Sequence, residues 1–320
     1  MYSDASRKVV ILSGGIGGAR FASGYVKSCP QDMLCVIGNV ADDEEFHGLW
    51  VSPDMDTLTY TLAGVEGPYG WGVRGDTYHG LGVMSQLGAD SWMTLGDKDF
   101  ALHIYRTERR RRGDRATDIA ASIARAMGVE ADILPATDSI VQTRFLTDSG
   151  ELSFQEYFVR ERTQPNIQDI HYEGIEVAEA TPEVLKALAE ANVIFLAPSN
   201  PIVSLLPILN IPGVAQALRA AKAPKIAISP FIGGKSVKGP AVEMMKSQSL
   251  SPDADGLIDV YDGLLDALII DTTDKETVPS SMYRGLLISD TDILMTGKGG
   301  REQLATFAAS LGREMGEVRV

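Results

Sequence analysis

The side chains most able to do chemistry in this 320-residue chain stand in two acidic segments. Asn39-Val40-Ala41-Asp42-Asp43 follows a short apolar run, and Pro53-Asp54-Met55-Asp56-Thr57 comes shortly after it. Paired carboxylates supply the hard oxygen ligands that Mg²⁺ prefers. Aspartates also form turns and cap helices, and Asp56 stands where it could cap a helix that begins at Thr57. The spacing alone leaves metal binding and helix capping both open.

A glycine-rich segment, Ser13-Gly14-Gly15-Ile16-Gly17-Gly18-Ala19-Arg20, is a candidate phosphate-binding turn. Glycines let backbone N–H groups approach an anion, and a helix N-terminus adds a favourable dipole. It is not a Walker A loop, because no Gly-Lys-Ser/Thr follows, and Arg20 stands where a dinucleotide fingerprint has Gly or Ala. We favour phosphate binding, which Arg20 could assist, over a tight turn without a ligand.

Three further segments carry weaker signals. Asp97 could cap a helix, on which Asp99 and His103 lie four residues apart as a structural or an acid–base pair. Ser199 and Asn200 follow an apolar run and could contact a ligand or cap the next helix. A basic run is typical of a solvated helix end, although it could also face an anionic substrate. Its members are Arg106, Arg109, Arg110, Arg111, Arg112 and Arg115.

Apolar runs predict the elements that position these segments. Short, β-branched runs favour strands that are buried on both faces of a sheet. They cover residues 9–12, 34–37, 193–197, 225–228 and 267–270. Helices are predicted over 19–27 and 301–312, so that strand, glycine turn, helix and strand form the opening unit of a doubly wound fold.

The middle of the chain has a different pattern. Helices are predicted over 97–112 and 116–127, and strands over 142–146 and 152–159 are joined by a turn, as in a hairpin. We therefore predict one α/β domain over residues 1–320. It has a doubly wound, mostly parallel, Rossmann-like sheet and a helical and β-hairpin insertion at about 57–180.

Composition limits the classes of partner. Lys and Arg total 29 against 43 Asp and Glu, which gives a formal net charge of −14. That balance argues against nucleic acid and against an anionic membrane surface, both of which attract basic faces. No apolar run approaches the ~20 residues that cross a bilayer, and the first residues lack the apolar stretch of a signal peptide. We expect a cytoplasmic protein.

Taken in order, these segments resemble one family, the 2-phospho-L-lactate transferases of coenzyme F420 biosynthesis, which have the CofD-like fold. The resemblance runs over nearly the whole chain. The glycine turn contributes little specificity to it. The specific segments are Pro53-Asp54-Met55-Asp56-Thr57, Leu95-Gly96-Asp97-Lys98-Asp99 and Phe154-Gln155-Glu156.

The resemblance implies a Mg²⁺-dependent transfer between two small molecules. The donor is a three-carbon phosphoacid linked to guanosine diphosphate, with 2-phospholactate, phosphoenolpyruvate and 3-phosphoglycerate as the candidate acids. The acceptor is the ribityl hydroxyl of 7,8-didemethyl-8-hydroxy-5-deazariboflavin (Fo), and GMP leaves. Such a reaction asks the protein to align an alcohol with phosphorus and to neutralise charge. The resemblance also implies a homodimer.

The same resemblance implies roles for individual residues. Asp43 and Asp56 are the expected catalytic residues and Mg²⁺ ligands, with Asp56 also near the attacking hydroxyl. Gly15, Gly17, Gly18 and Arg20 are expected on the diphosphate side, and the insertion is expected to form part of the acceptor site. The complete set of expected substrate contacts is Gly15, Gly17, Gly18, Arg20, Asp56, Thr94, Asp97, Ser199 and Asn200. Thr94 stands where some family members carry a lysine near the deazaflavin.

Two other functions compete with this one. The related gluconeogenesis-factor group shares the fold and resembles a nucleotide-sugar-binding regulator, but its acidic turn continues into a Gly-Gly-Ser-Ser-Gly stretch. Here Asp43 continues into Glu44-Glu45-Phe46-His47-Gly48, which favours the transferase. An NAD-dependent oxidoreductase is disfavoured by the spacing of the glycines.

Overall fold

A computed structural model describes residues 6–237, 239–278, 280–297 and 299–318. The strands are β1 (Lys8–Ser13), β2 (Met33–Gly38), β3 (Glu44–Phe46), β4 (Leu49–Val51), β5 (Asp132–Pro135), β6 (Gln142–Thr147), β7 (Gly150–Ser153), β8 (Ile167–Glu173), β9 (Val193–Leu196), β10 (Lys225–Ile228), β11 (Phe231–Ile232), β12 (Lys235–Ser236), β13 (Ala267–Asp271), β14 (Met282–Tyr283) and β15 (Leu286–Thr291).

The α-helices are α1 (Gly15–Ser28), α2 (Pro53–Leu62), α3 (His79–Gln86), α4 (Asp97–Arg111), α5 (Ala116–Ala126), α6 (Pro182–Glu190), α7 (Leu206–Asn210), α8 (Val214–Ala220), α9 (Ala241–Ser247), α10 (Ala254–Tyr261) and α11 (Gly300–Val318). Short π-helical turns lie at Glu156–Arg160 and Pro201–Leu205, and 3₁₀ turns lie at Ile175–Val177 and Thr272–Thr277.

Eight strands form the central sheet in the order β14-β15-β13-β10-β9-β1-β2-β5. The pairs within it are parallel, except that β14 runs antiparallel to β15. The chain extends the sheet from β1 in one direction through β2 and β5, and in the other direction through β9. That reversal creates a crevice at the carboxyl ends of β1, β2 and β9, where open α/β sheets bind their ligands. The predicted doubly wound, mostly parallel fold is confirmed.

Helices cover both faces of this sheet, because alternate strand residues point to opposite sides. Val9 and Ile11 of β1 belong to a buried cluster with side chains of α1 and α11, whereas Val10 and Leu12 belong to a cluster with side chains of α6, α8 and α10. All four β1 side chains are buried. This two-sided burial accounts for the uninterrupted apolar strands in the sequence.

The predicted core strands are all confirmed, with shifts of one residue at several ends. Two helices begin earlier than predicted. The first begins at Gly15 rather than at residue 19, because the glycine segment itself forms the opening turn. The last begins at Gly300 and continues to Val318.

The predicted strand over 152–159 is wrong beyond Ser153, where β7 ends. The chain then turns into the π-helical segment Glu156–Arg160. Phe154 and Phe158, four residues apart, stack with ring centroids 5.7 Å apart, and Tyr157 stacks on Phe145 at 4.5 Å. Residues four apart on a strand are too distant to stack, so the Phe154–Phe158 contact needs the helical turn that replaces the predicted strand.

Within the described ranges, no single helix is long and apolar enough to cross a membrane. The helical segments Pro201–Asn210 and Val214–Ala220 pass such a test together by length and composition, although the chain bends by 81° between them.

Close packing explains two glycines of the first helix. A Cβ atom on Gly17 would lie 2.1 Å from the carbonyl oxygen of Pro198, and one on Gly18 would lie 2.0 Å from Ser13 Oγ. Backbone atoms of the loop after β9 thus approach α1 more closely than a side chain allows. These glycines bring β1, α1 and the loop after β9 together at the crevice.

Gly17→Ala is therefore expected to destabilise the fold by about 1–3 kcal/mol, the usual cost of an overpacked interior. Gly82→Ala is the matched control, because a Cβ there meets no atom within 4 Å and alanine favours its helix. Urea unfolding of both variants measures the difference. Equal midpoints for the two would contradict this packing role.

Candidate active site

Asn39 joins three segments at the carboxyl edge of the sheet. Its side-chain Nδ2 donates to Asp54 Oδ2 at 2.9 Å and to the carbonyl of Val203 at 3.2 Å. Its Oδ1 accepts from the backbone N–H of Ala41 at 3.0 Å. The amide thereby ties the end of β2 to the start of α2 and to the turn after β9. Asn39 is 1% exposed, so its hydrogen bonds form the buried floor of the crevice.

Asp43 presents one satisfied and one unsatisfied carboxylate oxygen. Oδ2 accepts from Ser52 Oγ at 2.7 Å and from Trp50 Nε1 at 3.1 Å. Oδ1 is buried and has no hydrogen-bond partner among the described residues. Burial raises the pKa of Asp43 to about 7, although the Ser52 hydroxyl and the Arg106 charge oppose the shift. A buried oxygen without a donor is costly, so this atom marks a place for a cation or a proton.

Asp56 is held by a buried arginine. The Arg106 guanidinium contacts both of its oxygens, with Nη2 on Oδ1 and Nη1 at 3.2 Å from Oδ2. Both side chains are buried. Burial raises the pKa of Asp56, and the Arg106 charge opposes that rise. This two-point contact fixes the orientation of the Asp56 carboxylate.

The predicted alternative that Asp56 caps a helix beginning at Thr57 is wrong. Helix α2 begins at Pro53, Ser52 occupies the capping position, and the Asp56 backbone N–H donates to the Ser52 carbonyl at 2.9 Å. Proline is favoured at the first helical position because its ring sets the required φ angle. Asp56 therefore lies within the helix, where its side chain is available to Arg106.

One face of α4 carries Asp99, His103 and Arg106 towards the crevice. Asp99 Oδ1 accepts from the Tyr60 hydroxyl at 2.8 Å, and His103 Nδ1 lies 3.2 Å from Arg106 Nη1. Burial is the larger cause and the nearby Arg106 charge the smaller one, and together they lower the pKa of His103 to about 4. The imidazole is thus neutral at physiological pH. Among the described contacts, His103 has no hydrogen bond to Asp99 and instead lies beside Arg106 and Asp56, with Nδ1 3.8 Å from Asp56 Oδ2.

Two more buried carboxylates adjoin the first pair. Asp54 Oδ1 accepts from the Gly15 backbone N–H at 2.7 Å, and burial raises the pKa of Asp54 to about 6. Burial and the neighbouring Asp54 and Asp43 charges raise the pKa of Asp42 well above its ordinary value. Four buried carboxyl groups therefore share the crevice, and each binds a proton more readily than a free aspartate does.

The residues fit a divalent cation of the Mg²⁺ type. Within the described parts of the chain, no three His, Cys, Asp or Glu side chains converge on one metal position. Mg²⁺ does not require such a cage, because it keeps several waters and binds one or two carboxylates together with substrate phosphates. The unsatisfied, buried Oδ1 of Asp43, with Asp56 as an electrostatic neighbour, supplies the hard oxygen that such an ion needs.

The structure uses much of the glycine turn for internal contacts. The Gly15 N–H is taken by Asp54, and the Gly14 N–H donates to Ser199 Oγ at 3.2 Å. Gly17 and Gly18 are needed for close packing, as shown above. The backbone N–H groups of Ile16 and Gly17 also lie in the first turn of α1. They have no acceptor within the helix and can face an anion.

Arg20 lies on the side of α1 that faces α11. Burial and the neighbouring Arg301 charge lower the pKa of Arg20, and the Glu66 charge opposes them. Its Nε atom is buried and has no hydrogen-bond partner among the described residues. The surroundings of Arg20 are thus another arginine and a glutamate, and its expected phosphate contact stays a prediction.

Ser199 and Asn200 both make structural hydrogen bonds. Ser199 Oγ donates to the Gly14 carbonyl at 2.7 Å, which links the turn after β9 to the glycine turn. Asn200 Oδ1 accepts from the backbone N–H groups of Ile202 and Val203 at 3.0 and 3.4 Å. The predicted capping role of Asn200 is confirmed. Their expected contact with a nucleotide is a separate prediction.

Asp97 caps a helix other than the predicted one. Helix α4 begins at Asp97 itself, after Gly96 in the capping position. The Asp97 carboxylate instead accepts from the backbone N–H groups of His79 and Gly80 at the start of α3, at 3.1 and 2.9 Å. The Thr77 hydroxyl also donates to it, and that bond lowers the pKa of Asp97. Thr94, which is exposed, lies shortly before it.

The antiparallel sheet β7-β6-β8 supports the acidic loop from behind. Gln142 Nε2 donates to the Asp43 carbonyl at 2.9 Å, and Gln155 Nε2 donates to the Asp42 carbonyl at 3.3 Å. The Thr143 N–H donates to the Ala41 carbonyl at 2.7 Å. These bonds satisfy loop carbonyls in a buried place, which explains the structural use of the Phe154-Gln155-Glu156 segment.

Arg106 is one of six similar arginines in the basic run, and the run alone does not distinguish it from the others. A usable signal was present, because Asp99, His103 and Arg106 recur at helical spacing on one face of α4. An arginine on the face that also carries a histidine and an aspartate is a candidate for burial. Trp50 and Ser52, which donate to Asp43, gave no comparable signal.

The fold and the site define a class, namely doubly wound α/β proteins with a buried acidic crevice beyond the carboxyl ends of their strands. The model of the family described as 2-phospho-L-lactate transferase CofD matches residues 9–295. The chain belongs to this family of transferases, as the resemblance predicted.

Curated relatives agree with this assignment. The chain is 35% identical to a phosphoenolpyruvate transferase of Streptomyces coelicolor, over 97% of this chain and 99% of that protein. It is 38% identical to a 2-phospho-L-lactate transferase of Methanospirillum hungatei, over 86% of this chain and 92% of that protein. The chain is thus similar to transferases named for two different three-carbon acids.

Solved structures show the same fold at low sequence identity. A crystal structure of a Bacillus halodurans protein superposes with a TM-score of 0.63 at 15% identity, over 95% of this chain and 99% of the other. A second crystal structure of the same Bacillus halodurans protein, described as a member of the UPF0052 family, gives a TM-score of 0.55 at 16% identity, over 83% of this chain and 81% of the other.

Removing the buried guanidinium tests the electrostatic account of the site. Arg106→Met is expected to destabilise the protein by about 3–5 kcal/mol, because it leaves Asp56 buried without its partner. Arg112→Met is the matched control, since Arg112 pairs with Glu108 on the exposed surface and such pairs contribute about 0–1 kcal/mol. Urea unfolding at neutral pH compares them. A similar loss in both variants would show that the Arg106 contact is not special.

Proposed function

We propose that this protein transfers a phosphorylated three-carbon acid from a guanosine-diphosphate-linked donor to the ribityl hydroxyl of Fo and releases GMP. The acid is of the 2-phospholactate, phosphoenolpyruvate or 3-phosphoglycerate type, and the product belongs to coenzyme F420 biosynthesis. The observation that carries the proposal is the buried pair of carboxylates, Asp43 with an unsatisfied oxygen and Asp56 held by Arg106. Membership in the transferase family supports the reaction class.

The reaction needs an alcohol in line with phosphorus. The ribityl oxygen forms a bond to the phosphorus that carries the three-carbon unit, and the bond from that phosphorus to the oxygen shared with GMP breaks. GMP leaves with the electron pair of that bond, and the hydroxyl proton passes to a carboxylate. A bound Mg²⁺, held by Asp43 and Asp56, would supply charge neutralisation at the leaving phosphate.

Asp56 is suited to accept that proton. Each carboxylate oxygen has more than one lone pair, so Asp56 can accept from the substrate hydroxyl while it keeps its bonds to Arg106. The same guanidinium prevents the carboxylate from rotating away from the substrate.

We also propose how the remaining parts of the chain take part. The chain forms one α/β domain over 1–320, and the segment at about 57–180, with Thr94 and Asp97, forms part of the acceptor site. The diphosphate side is formed by the first turn of α1 with Gly15, Gly17, Gly18 and Arg20, and the nucleotide pocket by Ser199 and Asn200. The protein acts as a cytoplasmic homodimer without nucleic acid or membrane partners.

The experiment incubates the purified protein with Mg²⁺, Fo and each of the three candidate donors. We expect GMP release and a deazaflavin phosphodiester of the corresponding mass, detected by mass spectrometry. Asp56→Asn is expected to lower turnover by about 10²–10³-fold, because it removes a charge used in the transition state. Near-ultraviolet circular dichroism of this variant, together with Arg112→Gln as an active control, distinguishes lost chemistry from lost structure.

Two results together would contradict the transferase proposal. If no donor yields product, and calorimetry shows binding of a UDP-sugar but not of Fo, the transferase proposal fails. The nucleotide-sugar-binding regulator then becomes the better reading, and the catalytic roles of Asp43 and Asp56 fall with the transferase.

A further inference from the structure

Arg110 differs from the other arginines of the 106–115 run. Each of the others donates a hydrogen bond to an oxygen of the protein. These bonds join Arg106 to Asp56, Arg109 to Asp114, Arg111 to the Gly48 carbonyl, Arg112 to Glu108, and Arg115 to Asp138 and Glu183. Arg110 has no hydrogen-bond or ion-pair partner within the described ranges, and its one described contact is with an aromatic ring. Its guanidinium N–H donors are therefore available to a ligand.

The position of Arg110 is nevertheless fixed. Its guanidinium carbon lies 4.2 Å from the centroid of the Trp50 ring, which is cation–π geometry. Trp50 in turn donates from Nε1 to Asp43 Oδ2. The side chain is half-buried, and burial lowers the pKa of Arg110, yet an arginine in a protein keeps its charge. A charged, planar group is thus held next to the catalytic carboxylate with its donors unused.

The space beside this guanidinium has two chemical sides. A narrow cleft with a cavity volume of about 30 Å³ is lined by Asp43, Ser52, Arg106 and Arg110 on its polar side. Its apolar side includes Met55 and Ile119. The lining matches the carboxylate end of a small organic acid, since the adjoining carbons can face apolar side chains while the carboxylate meets the guanidinium. Arginine pairs with a carboxylate through two parallel hydrogen bonds, which gives both affinity and orientation.

We propose that Arg110 binds the carboxylate of the three-carbon acid in the donor, an inference that rests on the proposed function. The donor carries two kinds of anionic group, the reacting phosphate and the carboxylate. The phosphate belongs with Asp43, Asp56 and the divalent cation, whereas the carboxylate requires a separate cation at a short distance. Arg110 is a permanent cation near Asp43 whose donors the protein leaves free.

The test compares Arg110→Gln, Arg110→Lys and the exposed control Arg112→Gln in the transfer reaction. For Arg110→Gln we expect the donor KM to rise about 10- to 100-fold, as for a lost charge-assisted hydrogen bond, with kcat within a few-fold of wild type. Arg110→Lys is expected to restore part of the affinity, because it keeps the charge but not the planar fork. Arg112→Gln is expected to match wild type.

Binding of GDP distinguishes carboxylate recognition from phosphate recognition. GDP carries the phosphates but not the three-carbon acid, so its calorimetric affinity is expected to be the same in wild type and Arg110→Gln. The inference is overturned if the donor KM does not change, if Arg112→Gln shows the same rise, or if GDP affinity falls as much as donor affinity. An unfolding midpoint equal to that of wild type excludes a loss of structure, and Arg110→Lys serves in its place if Arg110→Gln does not fold.

Failure of the proposed function gives a different pattern. If the wild-type protein forms no product with any donor, the transferase proposal has failed independently of Arg110. Titration of phosphoenolpyruvate alone then decides the inference. Binding that weakens in Arg110→Gln but not in Arg112→Gln supports an organic-acid site at Arg110, and equal binding by all three proteins overturns it.

Discussion

The cost of burying aspartates at the carboxyl edge of the sheet governs the rest of this structure. Asp42, Asp43, Asp54 and Asp56 are 4%, 7%, 6% and 5% exposed. A carboxylate removed from water needs hydrogen bonds, an ion pair or a metal to remain charged. Among the described residues, Arg106 is the permanent cation in direct contact with this group. The site therefore favours a ligand that brings positive charge, and that preference underlies the proposed use of Mg²⁺.

Elements far apart in the sequence meet this cost together. The Gly15 backbone N–H and the Asn39 side-chain amide donate to Asp54. Ser52, which follows β4, donates to one oxygen of Asp43. Helix α4 contributes Arg106, which donates to Asp56. Close packing at Gly17 and Gly18 holds the turn after β9 against α1. The result is a preorganised acidic crevice, and preorganised charge is what a phosphoryl-transfer site needs.

The sequence predicted five of the eight central strands, β1, β2, β9, β10 and β13, because these are mostly buried on both faces and are therefore apolar. It did not predict β5, β14 and β15, which are partly exposed, and β5 lies within the segment predicted as an insertion. The ends of the elements and the local turns were harder to predict from the sequence. The strand predicted through Val159 ends at Ser153, because aromatic stacking of Phe154 and Phe158 requires a helical turn. The glycine turn showed the converse problem, since Gly17 and Gly18 serve close packing that no local pattern reveals.

The site was predictable in its carboxylates but not in their partners. Asp43 and Asp56 stand out as acidic residues near strand ends, whereas Arg106 lies fifty residues beyond Asp56 in a run of similar arginines. Which arginine is buried depends on how α4 packs against β4, a long-range contact that a single sequence does not specify. Arg110 likewise differs from the neighbouring arginines only in its contacts, which the sequence does not show.

The most direct test of the account is the affinity for a divalent cation, measured by calorimetric titration of Mg²⁺ at pH 8, where Asp43 is ionised. Wild-type protein is expected to bind Mg²⁺, and Asp43→Asn is expected to bind it at least about 10-fold more weakly with an unchanged fold. Equal affinity of the two proteins would contradict the claim that the buried, unsatisfied oxygen of Asp43 is a metal ligand.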